Sequence, residues 1–415
     1  MTQIEEVLQE FPPESRQVVH ALWQSLAPNR QAELLALLPA LPGQPGKMRK
    51  LFALAHEQLQ MSFGDKHDVV IVGPANVGKS TLYNQFIATD ADRAEVSPVP
   101  GTTRANQAGS AGLFTVIDTP GADAVGPVGR REREMALAAA ADADFLVIMF
   151  DAVQGVKQSE QALFRELQAL YKPYIVVLNK IDLVSRQADA VVAKVAENLG
   201  VAPDEVIPIS AEEGENLEQV VLAIVKAEPA LLAALGQGLP AYRWQLAWRA
   251  ISGAASTAGL IALTPLPFVD FIPLVGVQVS LILGIARIYN YRITPRRARE
   301  IAGVFGAGFL ARTLFYELIK LGGPPTWMVA AGVAAGTTVA LGYSAVLWFE
   351  RGERLTREAA QRVSRAIATH LVDSLRRRRP SRRQLSERIR EILERSPLAE
   401  HRDELDAAAE GEGER

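Results

Sequence analysis

Five short apolar runs constrain this chain more than any other feature: VVIVG (69–73), LFTVID (113–118), DFLVIMFD (144–151), YIVVLNK (174–180) and VIPIS (206–210). Each is apolar almost throughout instead of alternating, as a strand covered on both faces must be. Helical stretches separate them. The pattern predicts a doubly wound α/β domain over residues 64–230, with a mostly parallel sheet. The polar residues that end each run carry the candidate chemistry.

The first run leads directly into GPANVGKS (73–80), which fits G-x-x-x-x-G-K-[ST] after a strand. Glycines there let backbone amides close around a phosphate, and a helix starting near Lys79 aims its positive end at the same charge. The expected phosphate-binding set is Gly73, Asn76, Val77, Gly78, Lys79, Ser80 and Thr81. Lys79 is expected to reach the β- and γ-phosphates, and Ser80 to place its hydroxyl on Mg²⁺. By itself this loop specifies a nucleoside triphosphate but not its base.

The base is suggested by NKID (179–182) at the end of the fourth run. A carboxylate at Asp182 would accept hydrogen bonds from guanine N1–H and its exocyclic amine, an arrangement adenine lacks. Asn179 and Lys180 are expected to pack beneath and brace that loop, and Ser210 and Ala211 of SAEEG (210–214) to present backbone to the guanine oxygen. The tetrapeptide DTPG (118–121) ends the second run. Asp118 is placed there as an Mg²⁺ partner through water, and the Gly121 amide as a sensor of the γ-phosphate. Between these motifs VPGTTRA (99–105) offers Thr103, or alternatively Thr102, to complete the Mg²⁺ shell when the triphosphate orders this segment. Read alone, any one of these short motifs would also suit an ordinary loop; their order and their strand contexts carry the reading.

Together GPANVGKS, PGTTR, DTPG, NKID and SAEEG resemble the TrmE–Era–EngA group of P-loop GTPases, over about residues 64–230. The resemblance implies a Ras-like fold and hydrolysis of GTP to GDP by in-line attack of water, with Lys79, Thr103 and Gly121 as the catalytic set. It also implies a K⁺ ligand at Asn76 and a homodimer through the GTPase domain. Ala122 follows DTPG where Ras-like enzymes carry a water-orienting glutamine, so slow hydrolysis stimulated by K⁺ or by dimerisation is the expectation. Ala105 departs from the usual GTTRD of the group.

The remaining text is different. Residues 1–63 read as short helices. Residues 240–350 become strongly apolar and suggest two helical hairpins, 250–269 with 271–288 and 301–320 with 326–349, turning at PLPFVD (265–270) and GGPP (322–325). A bilayer core about 30 Å thick needs about 20 apolar helical residues, which 250–269 and 326–349 supply. Arg243, Arg249, Arg287, Arg292, Arg296, Arg297, Arg299, Arg351 and Arg354 flank the open ends, and Trp244, Trp248, Tyr289, Tyr291 and Trp348 gather near them as an interfacial belt would. This points to the cytoplasmic face of a membrane and to lipid contact. A soluble helical bundle in the cytoplasm is the competing reading, since abundant Gly and Ala permit close helix packing in either solvent. The run PLPFVDFIPLVGVQVSLILGIARIY resembles the YcjF-like domain of unknown function.

Residues 351–395 are basic and amphipathic, with a stripe of Leu355, Ala359, Val363, Ile367, Leu371 and Leu375. RRRRPSRR (376–383) would attract anionic lipid or nucleic-acid phosphates, or simply be solvated. Residues 396–415 read as a disordered acidic tail. With no cysteine, thiolate metal sites and Cys nucleophiles are excluded, and the five histidines show no ligand spacing. The N-terminus carries no secretory pattern, which places the first half in cytosol. The rival functional class is a soluble GTPase acting in ribosome or RNA assembly, as many members of that group are.

Overall fold

The five apolar runs become five strands in parallel register. The computed structural model describes residues 66, 68–86, 107–108, 113–119, 127–262, 271–291, 326–353, 355–378, 384–396 and 405. These divide into one unit ending at Tyr242 and another beginning at Arg243.

The first unit runs β1 (Val69–Pro74), α1 (Lys79–Phe86), β2 (Gln107–Ala108), β3 (Phe114–Thr119), α2 (Pro127–Asp142), β4 (Phe145–Asp151), α3 (Gln158–Gln168) and β5 (Tyr174–Asn179). It continues through α4 (Ala188–Leu199), β6 (Val206–Pro208), α5 (Leu217–Ala227) and α6 (Leu232–Gly238). The sheet order is β2-β3-β1-β4-β5-β6. β3, β1, β4, β5 and β6 are parallel, and β2 adds an antiparallel edge. Every residue of β1 and β4 is buried, which is why those runs show no polar alternation. The edge strand was not foreseen, because two residues of a polar, small-residue segment carry no apolar run.

Helices cover the sheet through amphipathic faces. On α3, Leu163, Phe164 and Leu167 are buried, and the Phe164 ring meets Phe150 and Tyr174 edge-on. At the foot of α1, Phe86 stacks on Phe114 and meets Tyr242 edge-on. Burial, and then the Glu218 carboxylate, push the Tyr242 phenol above its ordinary pKa.

The second unit is helical: α7 (Arg243–Ile261), α8 (Phe271–Ile288), α9 (Thr326–Arg351), α10 (Arg357–Arg378) and α11 (Leu385–Glu394). Helix α9 packs along α7, α8 and α10, and α11 lies on α7. Small residues set these distances. A Cβ at Gly336 of α9 would stand 2.5 Å from the Ser364 carbonyl oxygen of α10, so only glycine allows this approach. Hydrogen bonds also cross this packing. Gln278 Nε2 donates to Thr338 Oγ1 at 3.0 Å, and Trp248 Nε1 donates to the Leu393 carbonyl at 3.1 Å. Arg249 and Glu394 form an ion pair at 2.5 Å.

The N-terminus of α7 meets the C-termini of α8 and α9: Trp244 lies against Tyr343, Arg243 over the Tyr289 ring, and Tyr291 against Trp348 and Phe349. Trp248, expected in a surface belt, is only 2% exposed and sits in the bundle. The stripe Ala359, Val363, Ile367, Leu371 and Leu375 is buried in a helix that packs on α9. Among the described residues one helix, Val329–Arg351, is long and apolar enough to cross a membrane by length and composition, and 83% of its apolar window is buried within the chain. The expected helices of 1–63 and 301–320, the turns 265–270 and 322–325, and the tail apart from Leu405 lie outside the described residues.

Candidate nucleotide site

The site forms where β1, β4 and β5 end and their loops converge, the usual place for a ligand in an open parallel sheet. The loop after β1 turns through Asn76 (φ +65°) and Gly78 (φ +96°) before α1 begins at Lys79. At Gly78 both the backbone and the space require glycine. A Cβ there would stand 2.1 Å from Asn179 Nδ2. The first turn of α1 has no acidic residue to oppose the positive potential of the helix N-terminus. Lys79 is 2% exposed and folds back over its own loop, its Nζ donating to the Gly73 carbonyl at 2.7 Å and the Pro74 carbonyl at 2.5 Å. Ser80 and Thr81 are half-buried in that first turn, and Val77 is buried beneath it.

Asn179 joins the phosphate loop to the base loop. It ends β5, is 3% exposed, and donates from Nδ2 to the Val77 carbonyl at 2.8 Å. Its Oδ1 accepts from the Ala211 amide, also at 2.8 Å. Lys180 follows in the left-handed region (φ +67°), a conformation that costs a lysine free energy unless its surroundings hold it. Two bonds hold it: Nζ donates to the Asn76 carbonyl at 2.8 Å and to Asp151 Oδ2 at 2.7 Å. The next residue, Ile181, is buried and donates its amide to the Ile209 carbonyl, leaving Asp182 half-buried at the start of the turn Ile181–Gln187.

The loop of residues 210–215 is closed on itself. Ser210 and Glu215 exchange backbone bonds at 3.3 and 2.9 Å, and Ser210 Oγ accepts from the Glu213 amide at 3.2 Å. Ser210 is buried, and its hydroxyl shapes the turn. The Ala211 amide, expected to serve the guanine oxygen, is engaged by Asn179.

On the other side, β1 and β3 are in register with Gly73 opposite Asp118, so the backbone brings Asp118 alongside the start of the phosphate loop. Ser80 and Asp118 are hard oxygen donors of the type that Mg²⁺ takes one or two at a time, with phosphate and water completing the shell. Their residue types and strand register fit such an ion. Thr102, Thr103, Gly121 and Ala122 lie outside the described residues. So the structure brings together Gly73, Asn76, Val77, Gly78, Lys79, Asn179, Lys180 and Ala211 through explicit bonds or close approach, and sets Ser80, Thr81, Asp182 and Ser210 beside them.

Two residues of this framework escaped the sequence. Asp151 ends β4, is 3% exposed, and accepts from the Val153 and Gln154 amides as well as from Lys180. An acid closing a wholly apolar run was a usable signal. Gln85 on α1 donates to the Ala211 carbonyl at 2.8 Å, and no sequence pattern marks it.

Comparison with known proteins finds a match for part of each half of the chain. Residues 68–180 match the family described as 50S ribosome-binding GTPase, and residues 230–376 match the domain of unknown function DUF697. GTPase Era of Aquifex aeolicus is 34% identical over 172 residues, 39% of this chain and 56% of that protein. GTPase Der of Syntrophotalea carbinolica is 33% identical over 168 residues, 39% of this chain and 37% of that protein. A crystal structure of an Aquifex aeolicus Era variant bound to GDP·AlF4⁻ aligns with TM-score 0.33 and 27% identity, covering 44% of this chain and 67% of that one. The matched region thus spans about half of that Era and a little over a third of that Der.

Proposed function

We propose that this chain, in which an Era-like P-loop GTPase domain is joined to a DUF697-type helical domain, hydrolyses GTP to GDP and phosphate and acts as a membrane-associated switch. One observation carries the nucleotide reading: the Asn179 carboxamide bridges the Val77 carbonyl of the phosphate loop and the Ala211 amide of the base loop. That bond pair ties a triphosphate cradle to a base pocket containing Asp182, so both ends of one guanine nucleotide are read by one rigid frame.

In the mechanism, the loop amides around Gly78 and the N-terminus of α1 bind the β-phosphate. Lys79 moves its Nζ bonds from the Gly73 and Pro74 carbonyls toward the β- and γ-phosphate oxygens, meeting charge as it develops. Ser80, Thr103 and Asp118 would hold Mg²⁺, which neutralises phosphate charge when bound. Asn76 is the residue through which K⁺ would act. The Gly121 amide senses the γ-phosphate, and attack by water relies on positioning. The loops around 99–105 and 118–123 change with nucleotide state, and self-association through the GTPase domain would order them.

The membrane reading rests on the 23-residue apolar helix Val329–Arg351 and on Arg243 and the aromatic rings gathered at one end of α7, α8 and α9. A helix mostly buried within the chain, as this one is, equally suits the core of a water-soluble bundle. With it goes the second reading, a soluble GTPase acting on the ribosome or its RNA, which the description of the matched family supports.

Phosphate release by the purified full chain, with GTP against ATP and KCl against NaCl, tests the enzymatic half. GTP-specific release, faster in KCl, is expected; equal release from ATP overturns it. Carbonate extraction of membranes from expressing cells tests the other half. Retention in the pellet is expected, and release as a non-aggregated protein overturns the membrane claim and makes ribosome co-sedimentation the next assay.

A further inference from the structure

Close contacts fix α9 and α10 as an antiparallel pair in one register. Gly332 of α9 faces Ala368 and Val372 of α10, and Gly336 faces Ser364 and Ala368. Between these levels the hydroxyls of Thr337 and Ser364 share a hydrogen bond at 3.1 Å. The two helices carry different chemistry. From Thr326 to Phe349 α9 has no charged side chain, and by length and composition it could cross a bilayer. Helix α10 buries Val363 and Ile367 on one face and exposes Arg362 and Arg365 on the other.

Arg362 and Arg365 bracket Ser364, so both stand near the level of Thr337, halfway along the uncharged length of α9. Were the pair to cross a bilayer together, these arginines would face hydrocarbon near its midplane, where a charged side chain is most costly. Around α9, then, α10 suits water and not lipid. The junction between the helices is built to turn. Helix α9 ends at Arg351 and α10 begins at Arg357. Gly352 between them adopts φ +74°, and a Cβ there would meet nothing within 4 Å.

We propose that α10 is a releasable strap over α9. Docked, it holds α9 in a water-soluble bundle; swung away about Gly352, it uncovers α9 for entry into a bilayer. This rests on the membrane reading above, and makes the bundle and the membrane form two states of one chain.

The chain has no cysteine, so Thr337→Cys with Ser364→Cys supplies the only disulfide it can form, where the two hydroxyls already meet. The full-length double variant, oxidised or reduced, is mixed with vesicles of equal parts phosphatidylcholine and phosphatidylglycerol, washed with carbonate and floated. The unaltered chain and the reduced variant are expected to float. Oxidation should lower the floated fraction at least about tenfold, and dithiothreitol should restore it, which a misfolded chain would not allow. Gly336→Ala, which wedges the pair apart, should speed vesicle binding several-fold. Equal flotation of the oxidised and reduced variant, a loss that dithiothreitol does not reverse, or unchanged binding by Gly336→Ala overturns the strap. If the unaltered chain does not float at all, the membrane reading falls first and the strap with it.

Discussion

The two units of this chain use polar side chains for different ends. In the α/β unit, Asn179, Lys180, Asp151 and Gln85 bond almost entirely to loop backbone, and their effect is to hold open a concave frame of amides. In the helical unit, Gln278, Trp248 and Arg249 bond to residues of neighbouring helices, and their effect is to lock one helix to another. A polar group that shapes a loop speaks of a ligand. One that bridges two helices speaks of packing, and packing looks much the same whether lipid or water surrounds it. The first unit is therefore specified atom by atom for a ligand, whereas the packing of the second serves either solvent.

Substitutions that strike one unit and spare the other test this division. The largest effect is expected from Lys79→Ala, which removes the cation that closes over the phosphate loop. Phosphate release should fall by about 10²–10³-fold, while the thermal transition of the helical unit stays in place. Asp182→Asn exchanges an acceptor pair for one acceptor and one donor, and should weaken GTP by about 10²-fold. It should also raise affinity for xanthosine triphosphate, whose ring offers an acceptor where guanine has its amine. Competition binding with the two nucleotides measures both.

In the other direction, Gly336→Ala places a methyl group against the Ser364 carbonyl and the Ala368 backbone. The gain in helix propensity is about 1 kcal/mol. Overpacking against rigid backbone costs about 1–3 kcal/mol, so net destabilisation of the α9–α10 pair is expected. Denaturant unfolding of the full chain should show it, with GDP affinity unchanged. Trp248→Phe is the mildest. It removes the indole donor to the Leu393 carbonyl, which keeps only the longer bond from the Ser396 amide, and should cost about 1 kcal/mol in the same assay.

Much of the α/β unit was legible in advance because its strands are buried on both faces, which leaves continuous apolar runs, and because each functional loop follows such a run. The two-residue edge strand Gln107–Ala108 has no core face and left no pattern. Within the site, GPANVGKS and NKID showed which residues would meet, but not that Asn179 would occupy the Ala211 amide. That pairing depends on how far β5 and the 210–215 loop stand apart, a tertiary distance no local spacing encodes. Gln85 was invisible for the same reason. Its partner is 126 residues away, and a glutamine on a helix surface is ordinary. In the apolar half the helices were readable from composition, whereas their partners were not. The stripe of α10 would suit lipid as well as it suits α9, and the indole N–H of Trp248 would suit an interface as well as the Leu393 carbonyl.

The central claim is that one frame reads both the phosphates and the guanine base. Titration calorimetry of the full chain with GDP and with ADP, in Mg²⁺, tests it most directly. The account predicts one site per chain for GDP and at least about 10²-fold weaker binding of ADP, because adenine leaves the Asp182 carboxylate without its paired donors. Equal affinity for the two nucleotides, or binding of neither, would contradict it.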